Sequence, residues 1–154
     1  APRGMRFEIV CACCARYLLL VYNEAQLERY MQDERVQHVL RRFGYPVGSP
    51  LPELLAVLRK RIACTDGFPH EIGLFLSYPP EDVKGFIEHH AADFKYAGLW
   101  KVYGDEQRAR DLFAKYRRCT EIYCERLHAG LSIAQLAVNV QRKNTAQKER
   151  MLPS

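Results

Sequence analysis

The sequence has no stretch of apolar residues long enough to cross a membrane. A membrane-spanning helix needs about 20 consecutive apolar residues, and the apolar segment over residues 9–21 is interrupted by Arg16. That arginine, and Glu8 just before the segment, also argue against a secretory signal peptide, whose apolar region carries no charge at its centre. The sequence therefore predicts a protein without a membrane span, and we expect a cytoplasmic location.

Several catalytic and nucleotide-binding motifs are missing as well. The chain has neither the glycine-rich fingerprint GxGxxG nor a P-loop, so no segment predicts a cradle for a dinucleotide or a nucleoside triphosphate. It has no nucleophile elbow. His70-Glu71 could begin a zinc-peptidase motif, but the second histidine would have to occupy the position of Leu74. The lack of any catalytic motif favours a function without catalysis, although it does not decide the question.

Six cysteines are present, and outside the run Cys11-Ala12-Cys13-Cys14 no two of them have the CxxC spacing of a redox dithiol or a zinc knuckle. Cys11 and Cys13 would share one face of a strand, with Cys14 on the other, so Cys11 and Cys13 are the candidate thiolate ligands for iron or zinc. The other three cysteines lie in apolar periodic segments, at positions 64, 119 and 124. Reduced thiols buried as small apolar side chains are the favoured interpretation, in keeping with a reducing compartment.

The size and charge of the chain limit its organisation. Its 154 residues, 48% hydrophobic, are enough to form one sizeable core and too apolar for wholesale disorder. The net charge is +5, of which the four basic and one acidic residue of segment 141–154 contribute +3, leaving +2 for the remainder. We therefore predict one domain over residues 5–140 and a basic, flexible tail over residues 141–154.

Helical periodicity and end signals predict most of the secondary structure. The predicted helices are 24–31 with Asn23 as its N-cap, 33–43, 52–63, 70–77, 81–89, and 106–128 between the cap Asp105 and Gly130. Residues 132–140 fit either a short helix or an edge strand. Glycine at positions 73 and 85 lowers the stability of a helix by about 1 kcal/mol each relative to alanine. We therefore expect a neighbouring element to pack closely against each glycine.

Two segments have the composition of strands. The run Arg16–Tyr22 (RYLLLVY), the second half of segment 5–22, predicts a buried strand, and residues 96–103 (YAGLWKVY) predict another. The fold class is therefore α+β. We expect a helix-rich single domain with a small antiparallel sheet of about three strands.

Residues 108–118 (RARDLFAKYRR) resemble a nucleic-acid-binding surface in composition. However, their aromatic residues fall on the apolar stripe of the predicted helix, and acidic residues at positions 106, 111, 121 and 125 interrupt the positive charge. A mixed-charge solvated helix face is the favoured interpretation, and RNA binding stays open as an alternative.

Two long blocks carry a family resemblance: HEIGLFLSYPPEDVKGFIE at residues 70–88 and FKYAGLWKVYGDEQRARDLFAKYRRCTEIYC at residues 94–124. With RYLLLVYN and the FGYP turn, they resemble the bacterial family called domain of unknown function 3793, over most of residues 16–138. The N-terminal cysteines and the basic tail lie outside the matching part. The resemblance implies a bacterial, anaerobe-associated, soluble intracellular protein, and it implies no reaction, cofactor or catalytic residue.

The candidate ligand-binding residues are His70, Glu71, Lys101 and Tyr103, because the helix pair and the strand over 96–103 could bring them together. On that strand, Lys101 and Tyr103 would share one face. We expect a non-enzymatic accessory or binding protein. A thiol-dependent metal or redox accessory protein is the first alternative and an RNA-binding module the second. The sequence assigns no cofactor, and a protein partner also stays open.

Overall fold

The computed structural model describes residues 4–13, 16–64 and 68–136. Within these ranges the elements, in chain order, are β1 (Met5–Cys13), β2 (Arg16–Asn23), α1 (Glu24–Met31), α2 (Glu34–Arg42), α3 (Leu51–Cys64), α4 (Ile72–Phe75), α5 (Pro80–Glu88), β3 (Tyr96–Ala97), β4 (Lys101–Val102), α6 (Glu106–His128) and α7 (Ile133–Leu136). The α+β class is confirmed. The predicted tail over 141–154 lies outside the described residues.

No helix in the described ranges is both long enough and apolar enough to cross a membrane.

The two N-terminal strands form an antiparallel hairpin in which Phe7 pairs with Val21 and Ile9 with Leu19. A bulge between Ile9 and Cys11 interrupts the register, and the extra residue, Val10, is buried. Helices α1 and α3 contact this hairpin. The inner face of the hairpin, which includes Glu8 and Leu20, is therefore directed toward the core.

The prediction that Arg16–Tyr22 forms a strand is confirmed, but the prediction that this strand is buried is wrong. Tyr17 is 74% exposed, Leu19 52% and Val21 46%, whereas Leu20 between them is 4% exposed. Successive side chains of a strand point to opposite faces. Since the outer face of the hairpin lacks a covering helix in the described part of the chain, alternate apolar residues are left in contact with solvent.

Helices α1, α2 and α3 form where the periodicity predicts them. The Asn23 side chain caps α1 by accepting a hydrogen bond from the Gln26 backbone N–H at 3.0 Å, and Asp33 caps α2. Hydrogen bonds from the Arg35 guanidinium and backbone N–H hold the pKa of Asp33 below its ordinary value. Both caps satisfy helix N–H groups that otherwise lack a partner.

A main core joins the first hairpin to helices α1–α5. Its buried residues are Val10, Leu20, Leu27, Met31, Val36, Val39, Leu40, Tyr45, Leu51, Leu54, Leu55, Leu58, Leu74, Phe75 and Val83. A second, smaller cluster consists of Val102 on β4 with Ala109 and Phe113 on α6. The second hairpin is thus packed between the main core and α6.

The segment predicted as one strand over 96–103 is instead a hairpin of two short strands, β3 and β4, in which Tyr96 pairs with Val102. The described strands therefore form two separate two-stranded sheets. The chain reverses at Gly98, whose backbone N–H bonds to the Trp100 carbonyl at 3.0 Å. A Cβ at Gly98 would overlap the ring of Phe113, so this close approach requires glycine.

Helix α6 has the predicted bounds and the predicted cap, since Asp105 accepts a hydrogen bond from the Arg108 N–H at 3.0 Å. Its apolar stripe is buried only at Ala109 and Phe113, because only the first half of the helix packs against β3 and β4. Cys119 and Cys124 are exposed. The prediction that these two cysteines are buried is wrong.

The close packing predicted at the two helical glycines is confirmed. A Cβ at Gly73 would lie 2.9 Å from a methyl carbon of Val83, which places α4 directly against α5. A Cβ at Gly85 would lie less than 3.0 Å from three atoms of Tyr103, including its Cβ. Side-chain carbons do not approach this closely, so the two glycines set the spacing of α5 from its neighbours.

We predict that Gly85→Ala lowers the free energy of unfolding by roughly 1–3 kcal/mol, because the added methyl group displaces Tyr103 and overpacks this contact. Urea unfolding followed by the fluorescence of Trp100 measures the change. Lys84→Ala, at the neighbouring exposed position of the same helix, is the control and is expected to change the value by less than about 0.5 kcal/mol. Equal stability of the two variants would contradict the packing argument.

Candidate functional site

A cavity of about 490 Å³ lies between α4, α5 and the β3–β4 hairpin. Its walls are mostly apolar and aromatic, and include Ile72, Leu76, Tyr78, Phe86, Leu99 and Trp100. The volume falls in the range of small-molecule sites, which are concave, largely apolar and equipped with a few polar groups. This cavity is the candidate functional site.

The carboxylate of Asp82 holds the hairpin against α5. It is 3% exposed, and it accepts hydrogen bonds from the Trp100 Nε1–H and from the backbone N–H groups of Tyr103 and Gly104, each at 2.8 Å. The position of Asp82 in the first turn of α5 also places its negative charge at the positive end of the helix. Both oxygens are occupied, so Asp82 serves to build the cavity wall.

Aromatic contacts fix the orientation of Trp100. Its ring stacks on Tyr78 with centroids 4.5 Å apart, and it meets Phe113 edge to face at 4.4 Å. The Tyr30 hydroxyl in turn donates a hydrogen bond to the Tyr78 carbonyl. The indole is therefore held from two sides and presents a fixed aromatic wall to the cavity.

His70 and Lys101 both line the cavity, and both lie next to Phe86. The His70 ring meets the Phe86 ring edge to face at 5.0 Å, and the Lys101 ammonium is 5.9 Å from the same ring centroid. Lys101 Nζ also lies 4.7 Å from the Phe94 ring and donates a hydrogen bond to the Ala91 carbonyl at 2.6 Å. The structure thus brings these two predicted residues to one site.

The loop that receives this lysine has an unusual backbone. His90 and Ala91 have φ angles of 49° and 63°, and Asp93 has a φ of 54°. Non-glycine residues in the left-handed region cost of order 1 kcal/mol each and occur preferentially at functional sites. The hydrogen bond from Lys101 to Ala91 helps to hold this conformation at the edge of the cavity.

Glu71, the third candidate ligand-binding residue, does not line the cavity. It is 1% exposed and accepts hydrogen bonds from the Tyr45 hydroxyl at 3.1 Å and from Arg61. Burial, and secondly the charge of Glu71, raise the pKa of Tyr45, so this phenol stays protonated and remains a donor. The arrangement joins α3 to the turn before α4.

Tyr103, the fourth candidate, packs on α5 outside the cavity lining. Its ring stacks on His89 with centroids 5.5 Å apart and covers Gly85. The hydroxyl is buried and has no hydrogen-bond partner among the described residues. Burial, and secondarily the charges of Asp93 and Asp82, raise the pKa of Tyr103. Lys101 contacts the Phe86 ring of α5 and Tyr103 contacts Gly85 of the same helix, but only Lys101 is among the residues that line the cavity.

Sequence reasoning missed the residues that build the walls. The carboxylate of Asp82 is buried, and its place in the first turn of a short helix gives no sign of this. Tyr78 belongs to a proline turn and Phe86 to a short helix, and nothing in the local pattern distinguishes either from an ordinary core residue. The one available signal is Trp100, the sole tryptophan, since a partly buried indole N–H usually has an acceptor nearby.

The proposed thiolate ligands are only partly described. Cys11 is half-buried on β1, while the side chain of Cys13 and all of Cys14 lie outside the described residues. Among the residues that the structure does describe, no three histidine, cysteine, aspartate or glutamate side chains are grouped so that they could hold a metal ion. The metal hypothesis gains no support from the described part of the chain and stays a prediction.

A family model described as "Protein of unknown function (DUF3793)" matches residues 1–137. This range includes the candidate cavity and extends the motif resemblance to the N-terminal cysteines. No curated protein and no solved structure matches the chain.

We predict that Asp82→Ala lowers the free energy of unfolding by about 3 kcal/mol, because three buried donors lose their acceptor. The emission of Trp100 is expected to shift to longer wavelength as the indole becomes solvated. Asp82→Asn retains one acceptor oxygen and should cost less. Asp111→Ala, on the exposed face of α6, is the control. A Trp100 spectrum unchanged by Asp82→Ala would contradict the assigned role.

Glu71→Ala is expected to lower the free energy of unfolding, measured in urea, by about 3 kcal/mol, because Arg61 and Tyr45 lose a shared buried acceptor. Glu71→Gln, which keeps an acceptor and loses the charge, should cost less. Glu53→Ala, at an exposed position of α3, is the matched control and is expected to cost less than about 1 kcal/mol. A Glu71→Ala variant as stable as the control would exclude a structural role for this carboxylate.

Proposed function

The chain belongs to the DUF3793 family, and we propose that it is a non-enzymatic binding protein of the bacterial cytosol for a small amphipathic anion. The ligand has an aromatic or aliphatic body and one anionic group, such as a carboxylate or a sulfonate. One observation carries the proposal: an apolar cavity of about 490 Å³ has Lys101 and His70 among its lining residues.

The wall composition supports an apolar ligand body. Trp100 and Tyr78 offer aromatic faces, and Leu76 and Leu99 remain 46% and 55% exposed at the cavity. Phe68, which also lines it, is 55% exposed. A ligand that covers exposed apolar side chains around a cavity is bound more tightly, because each Å² of apolar surface removed from water stabilises the complex by about 25 cal/mol.

The charges at the cavity favour an anion over a cation. Asp82 is the acidic residue in the lining, and its carboxylate already accepts three hydrogen bonds from the protein. Lys101 brings a full positive charge with three donor positions, of which the Ala91 carbonyl occupies one. His70 adds a ring nitrogen that can donate. A carboxylate or sulfonate would therefore meet the Lys101 ammonium and a further donor, while the carboxylate in the lining is already satisfied by the protein.

Binding is better supported than catalysis. The described lining holds neither serine, threonine nor cysteine that could act as a nucleophile, and its histidine contacts a phenylalanine ring rather than an orienting carboxylate. Two sides of Trp100 are held by other aromatic rings, which favours a preformed binding wall. These features suit a carrier, sensor or accessory subunit.

Two exposed thiols support the cytosolic location in the proposal. Cys119 and Cys124 are exposed on α6 and form no disulfide. Exposed reduced thiols persist in compartments that glutathione and thioredoxin keep reducing. RNA binding is less well supported, since Arg110 pairs with Glu106 at 2.7 Å and Arg118 with Glu121 at 3.3 Å on the same helix.

The test uses two probes that share the same rings and differ in charge: anilinonaphthalene sulfonate and the neutral N-phenylnaphthylamine. Trp100, the sole tryptophan, lines the cavity and is expected to transfer excitation energy to either bound probe. We expect the anionic probe to bind about tenfold more tightly, because a hydrogen bond to a charged group contributes about 1.5–3 kcal/mol. Lys101→Met should remove this preference while leaving binding of the neutral probe unchanged.

Lys115→Met, on α6, is the matched control and should keep the preference for the anion. Leu19→Lys, on the outer face of the first hairpin, should also bind both probes normally. This result would show that the probes bind at the cavity and not at the exposed apolar side chains of the hairpin. An anion preference that survives Lys101→Met would contradict the assigned ligand class. Failure of both probes to quench Trp100 would contradict the site itself.

A further inference from the structure

The first hairpin exposes an uncharged apolar face to solvent, whereas the solvent-facing side chains of a sheet are normally polar. We name as the outer face the side chains of Phe7, Ile9, Tyr17, Leu19 and Val21, which are between 46% and 74% exposed. Phe7 pairs with Val21 and Ile9 with Leu19, so four of the five form two adjacent cross-strand pairs. An antiparallel sheet with one solvated face normally alternates apolar residues inward with polar residues outward, whereas the outward side chains of this hairpin are apolar.

The bulge at Val10 sets which residues of β1 lie opposite Leu18 and Tyr17 of β2. Because Val10 is an extra residue, Cys11 pairs with Leu18 and Ala12 with Tyr17. Without the bulge, Val10 would pair with Leu18 and Cys11 with Tyr17. The bulge therefore buries Val10 and places Ala12, instead of Cys11, opposite Tyr17 of the outer face.

We infer that the outer face is the contact surface of a homodimer, in which the hairpins of two protomers pack face to face. Two sheets stack at about 10 Å with interdigitating apolar side chains, which would cover the face of each hairpin that the described helices leave exposed. A two-fold axis brings the same patch of each copy together, so the patch only has to be complementary to itself. An uncharged apolar surface meets this condition without placing like charges opposite each other.

The area of the outer face agrees with a dimer contact. Large apolar side chains have about 150–250 Å² of surface each, so the observed exposures correspond to roughly 600 Å² per protomer. A monomer rarely exposes a larger contiguous apolar patch. Two copies would bury roughly 1,200 Å², which is the lower limit of stable, specific interfaces. The absence of charge on these five residues gives nucleic acids and other polyanions no group to bind.

The polar surroundings of the hairpin support this orientation. Glu8, on the inner face, is held by Arg59 of α3 and by the Tyr22 hydroxyl, and Arg6 pairs with Glu24 at 2.8 Å. These charged groups are engaged within the protomer. The apolar outer face is thus left for a partner of the same composition.

Sedimentation velocity of the full chain over a range of micromolar concentrations tests the inference. The wild-type protein is expected to sediment at twice the 17.9 kDa of the monomer. Leu19→Lys should raise the dissociation constant by about 100-fold, because it buries a lysine ammonium in the apolar contact. Leu127→Lys, which places the same substitution at an exposed leucine of α6, should leave the dimer intact. Far-ultraviolet circular dichroism checks that both variants are folded.

A charge-complementation experiment identifies the contacting faces. Leu19→Lys and Leu19→Glu are each expected to be monomeric, and an equimolar mixture of the two should recover a heterodimer that dissociates in salt. A monomeric wild-type protein, or a Leu19→Lys variant that remains a dimer, would overturn the inference. A wild-type monomer excludes the homodimer, and its flotation with phosphatidylcholine vesicles would assign the face to a membrane surface instead.

Discussion

The buried carboxylate of Asp82 is the interaction on which the candidate site depends. Through one side chain, α5 holds the indole of Trp100 and two consecutive backbone N–H groups at the end of β4. A two-stranded hairpin of two-residue strands has too few hydrogen bonds to be stable alone. Its position is set by this carboxylate on one side and by the packing of Val102 and Trp100 against α6 on the other. The cavity exists because the hairpin is fixed in this place.

The same arrangement explains why the cavity has a single available charge. A buried carboxylate is stable only when its oxygens are satisfied by donors, and Asp82 uses the hairpin itself as the source of those donors. Lys101, two residues before Tyr103, is directed to the cavity edge by the same hairpin and is steadied by the Ala91 carbonyl and the Phe94 ring. Structural support and the proposed recognition of an anion therefore come from neighbouring residues of one short element.

Local patterns predicted the elements better than they predicted their burial. Asn23 and Asp105 mark the starts of α1 and α6 because capping is a contact within a few residues. The apolar run Arg16–Tyr22 identifies a strand, but its composition cannot show that helices cover only one face of the hairpin. In the same way, the periodicity of α6 extends along its whole length, although within the described ranges only Ala109 and Phe113 of this helix are buried. The segment predicted as one strand turns back at Gly98. Only glycine fits at this turn, because the ring of Phe113, 15 residues further along the chain, occupies the space that a Cβ would need.

The sequence by itself determined the α+β class, the family, the ends of α1 and α6 and the close packing at Gly73 and Gly85, because each rests on short-range patterns or on long specific motifs. The helix predicted over 70–77 is shorter, since α4 spans only Ile72–Phe75. The sequence also named His70 and Lys101. Only the tertiary structure decided that these two residues share a cavity while Glu71 pairs with Arg61 and Tyr103 stacks on His89. The reason is physical: a residue's type limits the partners that it can have, but contacts between residues distant in the chain are chosen by how the elements pack.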